Sequence, residues 1–567
     1  MEKLKECPEL ILIKTLQYAV GDVDCELKHW KQGLPLLTVC QSWREIVKRE
    51  LYRCAFVEVV DPNPDACHSE EEAEDYEEDY EEDYEEEEEA VTASDSSDWE
   101  SISSSVDSVG NIIGPDGEKA IRSYTNMPLI KANNMQGLVK RMIFSDVRSQ
   151  LLLVHIGETL GSFMAMLRVM YTDPREFPGF MDYVEWFEAE MYGMEQDPLV
   201  VSRCFATSTE IAANLKANFP NVKDLNIAMP SPHELLENMF CDLIAGYDAQ
   251  LVRLYCRMPA YFPRTLAAPK LVELNLGVTH TDDARLPIIN PQSLRSIELR
   301  WFREMSFSWE MFRFKPSWDT IVFANLVELS VIYDDYDEPL DMEAAVGSTA
   351  ANLKLVFPKL KRLYIASIVL PAQDIQYLVQ PTLKSLRYEG SLKTANTMCK
   401  YLTGDLEELN LHWNGTFFLD EAEYFESMTN EIFNKTDGIQ QVVFSINCAD
   451  YYLDLDGVSW PYLTHLNLNF MLTIGGLLEF LPAMANLTFL SLDMDECDPE
   501  QISKDTEFLL TIETRYPEPI PSKLTTLSIC DSYFTASPHS CQNLPFYEAL
   551  GCLQLCLPDL KTIEITS

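Results

Sequence analysis

The sequence predicts an α/β chain: a short helical module, a linker without a core, then a long stack of strand–turn–helix units with parallel strands. Three observations carry this. Apolar positions in the first sixty residues fall at helical spacing, one run of twenty residues is almost wholly carboxylate, and a six-residue apolar frame recurs from residue 219 onward.

Residues 1–60 are apolar and mixed in charge. Pro8 stands in the first turn of a predicted helix, where its missing N–H costs no hydrogen bond, and Leu10, Ile11, Leu12, Leu16 and Ala19 supply apolar positions. In the segment LLTVCQSWREIV, Leu36, Val39, Cys40 and Trp43 stand at i, i+3, i+4 and i+7, so one helical face carries all four. Leu51 and Phe56 extend that packing in this reading.

From Glu70 to Glu89, sixteen of twenty residues are acidic, the exceptions being Ala73, Tyr76, Tyr80 and Tyr84. Like charge at that density repels, and too little apolar surface remains to offset chain entropy. Together with the Ser/Asp stretch that follows, this predicts a disordered linker over 61–125, leaving 126–567 for the stack.

The frame of the stack is apolar-x-x-apolar-x-apolar. Its first positions fall at Val222, Leu271, Leu294, Leu326, Leu360, Leu383, Leu406, Ile439, Leu463, Leu487, Leu524 and Leu560, with Val139 a further candidate upstream. Nine of the twelve segments satisfy a strict form, Leu, then Leu or Ile, then Leu, Ile or Val; composition alone predicts roughly two. Gaps of 23 or 24 residues recur, and the gap of 49 before Leu271 has room for about two units. Within a frame such as LVELNL, Leu274 and Leu276 share one face of a strand while Glu273, Asn275 and Gly277 take the other. One such unit cannot close a core; stacked copies can, because each leucine is covered by the next. An ordinary α/β domain with a parallel sheet is the alternative.

The frame resembles leucine-rich repeats over roughly residues 130–567, which implies an irregular solenoid with parallel strands. The leading zone resembles an F-box, the helical module that docks on the Skp-type adaptor of cullin ubiquitin ligases. Pro8, Ile11, Leu12 and Leu16 match its opening helix, and Val39, Cys40 and Trp43 match the Val-Cys-x-x-Trp stretch; Cys7 and Leu10 depart from the usual residues. The resemblance implies that these positions, with Leu36, contact the adaptor. It also implies a substrate receptor whose repeats hold a target protein of unstated identity. The alternative is a repeat scaffold whose leading helices only cap the stack.

Composition narrows the partners. The formal net charge is −48, from 91 acidic and 43 basic residues. That field repels phosphates and anionic lipid, so neither nucleic acid nor membrane is an expected partner. The fifteen cysteines include no Cys-x-x-Cys pair, which fits a reducing cytoplasm or nucleus. No Gly-x-Ser-x-Gly, His-Glu-x-x-His or phosphate-loop motif occurs, so neither catalysis nor a cofactor or metal is expected. Function is expected on the outward side of the repeat strands. Its candidate target-binding residues are Arg300, Arg362, Tyr364, Arg387, His412, His465 and Asn467, interleaved with Glu298, Glu389, Glu408 and Asp493.

Overall fold

The computed structural model describes residues 52–60, 105–106, 112–113, 122–146, 198–228, 234–259, 263, 265–279, 288–301, 309–315, 319–333, 344–345, 354–366, 368–369, 372–413, 431–432, 438–446, 461–469, 474–493, 499–530 and 544–566. The chain divides into two compact units, residues 1–263 and 264–567.

In the first unit, strands β1 (Cys54–Val60), β2 (Arg122–Thr125), β3 (Arg141–Asp146), β4 (Asp224–Ala228) and β5 (Arg253–Pro259) pair in the order β2-β1-β3-β4-β5. Only the β1–β2 pair is antiparallel. The side chain of Asn126 finishes that edge: its Oδ1 accepts from Phe56 N at 3.0 Å and its Nδ2 donates to Cys54 O at 2.9 Å. Helix α1 (Met127–Ala132) follows, and helices α2 (Pro198–Asn218) and α3 (Glu234–Tyr247) pack on each other. Asn238 donates to Ser208 Oγ at 2.7 Å, and the buried Tyr247 hydroxyl donates to Phe219 O at 2.9 Å. These bonds join α2 to α3, while Phe240 of α3 meets Phe144 of β3 edge-on at 5.0 Å.

In the second unit eleven strands form one parallel ladder: β6 (Glu273–Thr279), β7 (Ser296–Trp301), β8 (Glu328–Tyr333), β9 (Arg362–Ala366), β10 (Ser385–Glu389), β11 (Glu408–Trp413), β12 (Gln441–Ile446), β13 (His465–Asn469), β14 (Phe489–Asp493), β15 (Thr526–Cys530) and β16 (Thr562–Thr566). Register follows the sequence frame. Leu363 of β9 stands beside Leu329 and Leu386, and Leu466 of β13 beside Val442 and Leu490. All six are at most 2% exposed, so each contributes on the order of 1.5–3 kcal/mol of apolar burial.

The same backbone pattern recurs at each rung. The carbonyl of frame position 2 accepts from two consecutive N–H groups of the next strand, as Val327 O does from Lys361 N at 2.8 Å and Arg362 N at 3.0 Å. An amide side chain just before the frame often reaches back one copy: Asn325 donates to Gln292 O at 3.0 Å and Asn486 to Pro461 O at 2.6 Å. The short helices between strands cover the inner leucines. Helices α4 (Ala372–Leu378) and α5 (Leu392–Cys399) pack together, as do α6 (Ile474–Phe480) and α7 (Pro499–Leu510). Asp505 on α7 accepts from Ile474 N at 3.3 Å, satisfying an N–H that the start of α6 cannot bond within itself. One turn demands glycine: Gly390 has φ +149°, and a methyl group there would lie 2.6 Å from the Tyr388 hydroxyl.

Two copies escape the sequence frame. Tyr52-x-x-Ala55 aligns with Val139-x-x-Met142 of β3, and Leu251-x-x-Leu254-x-Cys256 aligns with the Val222 frame. The second fills the 49-residue gap. Both use buried Tyr, Ala or Cys where the strict frame wants Leu or Ile.

The expected boundaries at residues 60 and 125 fall at the ends of two strands that belong to one sheet. Cys54–Val60 and Arg122–Thr125 belong to the sheet of the first unit, and Phe56 is buried on a strand rather than extending a helical face. The sequence hides this because the run from Cys54 to Val60 is nearly all apolar and shows no period. The positions expected to contact an adaptor, Pro8, Ile11, Leu12, Leu16, Leu36, Val39, Cys40 and Trp43, lie outside the described residues, as does most of 61–121.

Candidate interaction face

Parallel strands in register put alternate side chains on one outward face, at frame positions 3 and 5 of each copy, with position 7 continuing where the strand does. In the second unit this face has two zones.

The first zone spans β7 to β10. Arg300 donates through Nε to Glu298 Oε1 at 2.7 Å on the same strand. Arg362 pairs with Glu328, its register neighbour on β8. Tyr364 and Arg387 are also register neighbours, and the Arg387 guanidinium lies 4.5 Å from the centre of the Tyr364 ring, a separation at which a cation is attracted to the ring face. Glu389 closes the group: its Oε2 accepts from the Tyr364 hydroxyl at 2.9 Å, and its Oε1 accepts from Arg387 Nε at 3.1 Å.

These contacts mark the electrostatics. Burial, with the Glu389 carboxylate beside it, drives the Tyr364 phenol well above its usual pKa, against the opposing pull of Arg387 and Arg300. Burial works against the charge of Arg387, but its bond to Glu389 and the neighbouring phenol hold its pKa above the ordinary value. Three arginines meet three glutamates, so the zone is locally neutral despite its charge density.

The second zone spans β12 to β15. Here frame positions 3 and 5 hold Gln441 and Val443, then His465 and Asn467, then Phe489 and Ser491, and finally Thr526 and Ser528. His465 stacks on Phe489, with ring centres 5.8 Å apart and planes 30° apart, and its Nδ1 lies 2.9 Å from Thr464 Oγ1. Asn467 is half-buried.

The structure therefore divides the sequence-predicted target residues. Arg300, Tyr364 and Arg387 converge, with Arg362 beside them on the same face. His412 lies half-buried on β11 next to Glu389, whereas His465 and Asn467 belong to the second zone, three strands from Arg387. Sequence reasoning missed Glu328 and Phe489. Frame register carried the signal for both, since each occupies position 3 directly beside a residue already singled out, Arg362 and His465.

Among the described residues no group of His, Cys, Asp and Glu is placed to hold a metal, and no helix is long and apolar enough to cross a membrane. No family model matches the chain, and no curated protein matches it. Among solved structures, the chain is similar to a chain of the TLR13–ssRNA13 complex, with 12% identity and a TM-score of 0.23 over 56% of this chain and 50% of that one, half its length. It is also similar to a chain of the Rad7–Elc1 complex of yeast, with 15% identity and a TM-score of 0.23 over 61% of this chain and 87% of that one. Overlaps of that quality fix neither fold nor function. The α/β architecture and its parallel ladder stand on this chain's own backbone.

Proposed function

We propose that this chain is a non-catalytic substrate-recognition subunit of an SCF-type ubiquitin ligase. Its leading helices dock a Skp-type adaptor and thereby the cullin core, and the outward face of the repeats holds a target protein. The observation that carries the target-holding half is the in-register ladder of the second unit, which leaves two side chains per strand facing outward on eleven strands. The adaptor half is supported by the match of Pro8, Ile11, Leu12, Leu16, Val39, Cys40 and Trp43 to the F-box pattern. Such a subunit acts by positioning: it raises the effective concentration of target beside the transfer machinery.

The test is an adaptor pull-down with wild type and with the double variant Val39→Asp, Trp43→Asp. Wild type is expected to retain adaptor and the variant to lose it. Equal retention by both, or none by wild type, sinks the reading.

A second reading is a repeat scaffold whose leading helices cap the stack. The observation favouring it is that β1, which follows a turn at Tyr52 and Arg53, lies inside the sheet of the first unit. Removing residues 1–50 separates the two, because it spares Tyr52 and β1. Loss of a cap lowers the melting temperature of the remainder, whereas loss of an independent docking module leaves it nearly unchanged.

A further inference from the structure

Two carboxylates on the outward face of the second unit stand apart from the others. Glu298, Glu328 and Glu389 are each held by an arginine of the same face. Glu408 on β11 and Glu564 on β16 are exposed, and neither has an ion pair or side-chain hydrogen bond among the described residues. Between them lie β12 to β15, whose frame positions 3 and 5 carry no Asp, Glu, Lys or Arg. In a chain of net charge −48 those two positions form an uncharged strip with an exposed carboxylate at each margin, and Asp493 follows at position 7 of β14.

We propose that this strip binds an extended segment of a partner protein that carries a basic residue at each end and an uncharged polar or aromatic centre. The proposal rests on the reading of the repeat face as the target-holding surface and names the chemistry of the target.

Geometry sets the length. Glu408 and Glu564 are five strand steps apart in the ladder; at about 4.8 Å per step that is ~24 Å, which an extended chain covers in about seven residues at ~3.3 Å each. The segment lies across the strands, so it does not compete with the ladder for backbone hydrogen bonds. In the middle it meets polar and aromatic side chains of β13 and β14. The half-buried side chains of Asn467 and Ser491 make no hydrogen bond among the described residues, leaving an amide and a hydroxyl for the partner's backbone. The stacked His465–Phe489 pair offers a flat surface to a planar side chain.

Charge favours this occupant over others. The acidic field of the whole chain draws basic segments in and turns acidic ones away. At contact, frame positions 3 and 5 without fixed charges lose little on desolvation, whereas charges in the paired zone around Tyr364 would have to give up existing partners. Covering that zone costs more and returns less.

The test uses the full chain and a fluorescein-labelled peptide, Arg-Ser-Gly-Tyr-Gly-Asn-Ser-Arg, read by anisotropy. Two control peptides accompany it, one with both arginines changed to glutamate and one shortened to Arg-Ser-Tyr-Arg. The long arginine peptide is expected to bind at least about tenfold more tightly than either control. Two protein variants, Glu408→Lys with Glu564→Lys and His465→Ala with Phe489→Ala, are each expected to weaken it by about tenfold or more. Glu408, Glu564 and His465 are exposed and Phe489 is half-buried; an unchanged circular dichroism spectrum is expected alongside. Affinity that survives charge reversal puts the peptide on another acidic surface, such as residues 70–89, and overturns the proposal. So does equal affinity for the short peptide, or no binding. The adaptor pull-down reads residues 39 and 43 instead, so either reading can fail without the other.

Discussion

On β10, Leu386 and Arg387 are neighbours in sequence and opposite in circumstance. Leu386 is wholly buried between Leu363 and Leu409, whereas Arg387 is exposed and lies across the Tyr364 ring. Inner positions repeat one kind of residue because each is covered by its counterpart in the next copy, and a different shape would leave a void in both. Outer positions need not match the shape of the next copy, so they diverge: salt-bridged between β7 and β10, uncharged at frame positions 3 and 5 between β12 and β15. A repeat protein thus separates the residues that hold it together from those that meet a partner.

The contrast is broken most severely from inside. Leu386→Ala removes a side chain packed on both sides and is expected to cost about 2–5 kcal/mol, read as a large fall in the denaturant midpoint. A loss no greater than that of an exposed substitution would mean the rung is not packed as described.

Glu389→Ala tests the most enclosed part of the outer face. It strands the half-buried Tyr364 hydroxyl, and the expected cost is about 1–3 kcal/mol. The same variant lowers the Tyr364 pKa, because the glutamate is among the causes of its upward displacement. An alkaline ultraviolet titration should therefore show one phenol ionising at lower pH than in wild type. An unchanged titration would contradict the Tyr364–Glu389 contact.

Arg362→Ala should matter least. Its pair with Glu328 is exposed, with the Arg362 side chain 60% accessible, so a change under about 1 kcal/mol that shrinks further in salt is expected. A large, salt-insensitive loss would show that the outer face is not independent of the core.

The frame written in the sequence anticipated the ladder because leucine burial at a fixed interval is a one-dimensional signal. Every strand of the second unit's ladder lies at a position the frame marks. It faltered where composition stopped reporting burial. Tyr52 and Ala55 in one copy and Cys256 in another fill inner positions without looking like leucine, and the run before residue 60 conceals a strand because apolar residues occupy both of its faces. On the outer face, sequence supplied residue types but not pairings. Arg362 and Glu328 are 34 residues apart along the chain, and only register makes them neighbours.

What the amino-acid order determined alone was the repeat, its interval and its inner rows, since those follow from which side chains must leave water. What only the tertiary structure decided was which outward charges are already satisfied. That depends on the lateral step between strands, and insertions of variable length between copies keep that step from being counted along the chain.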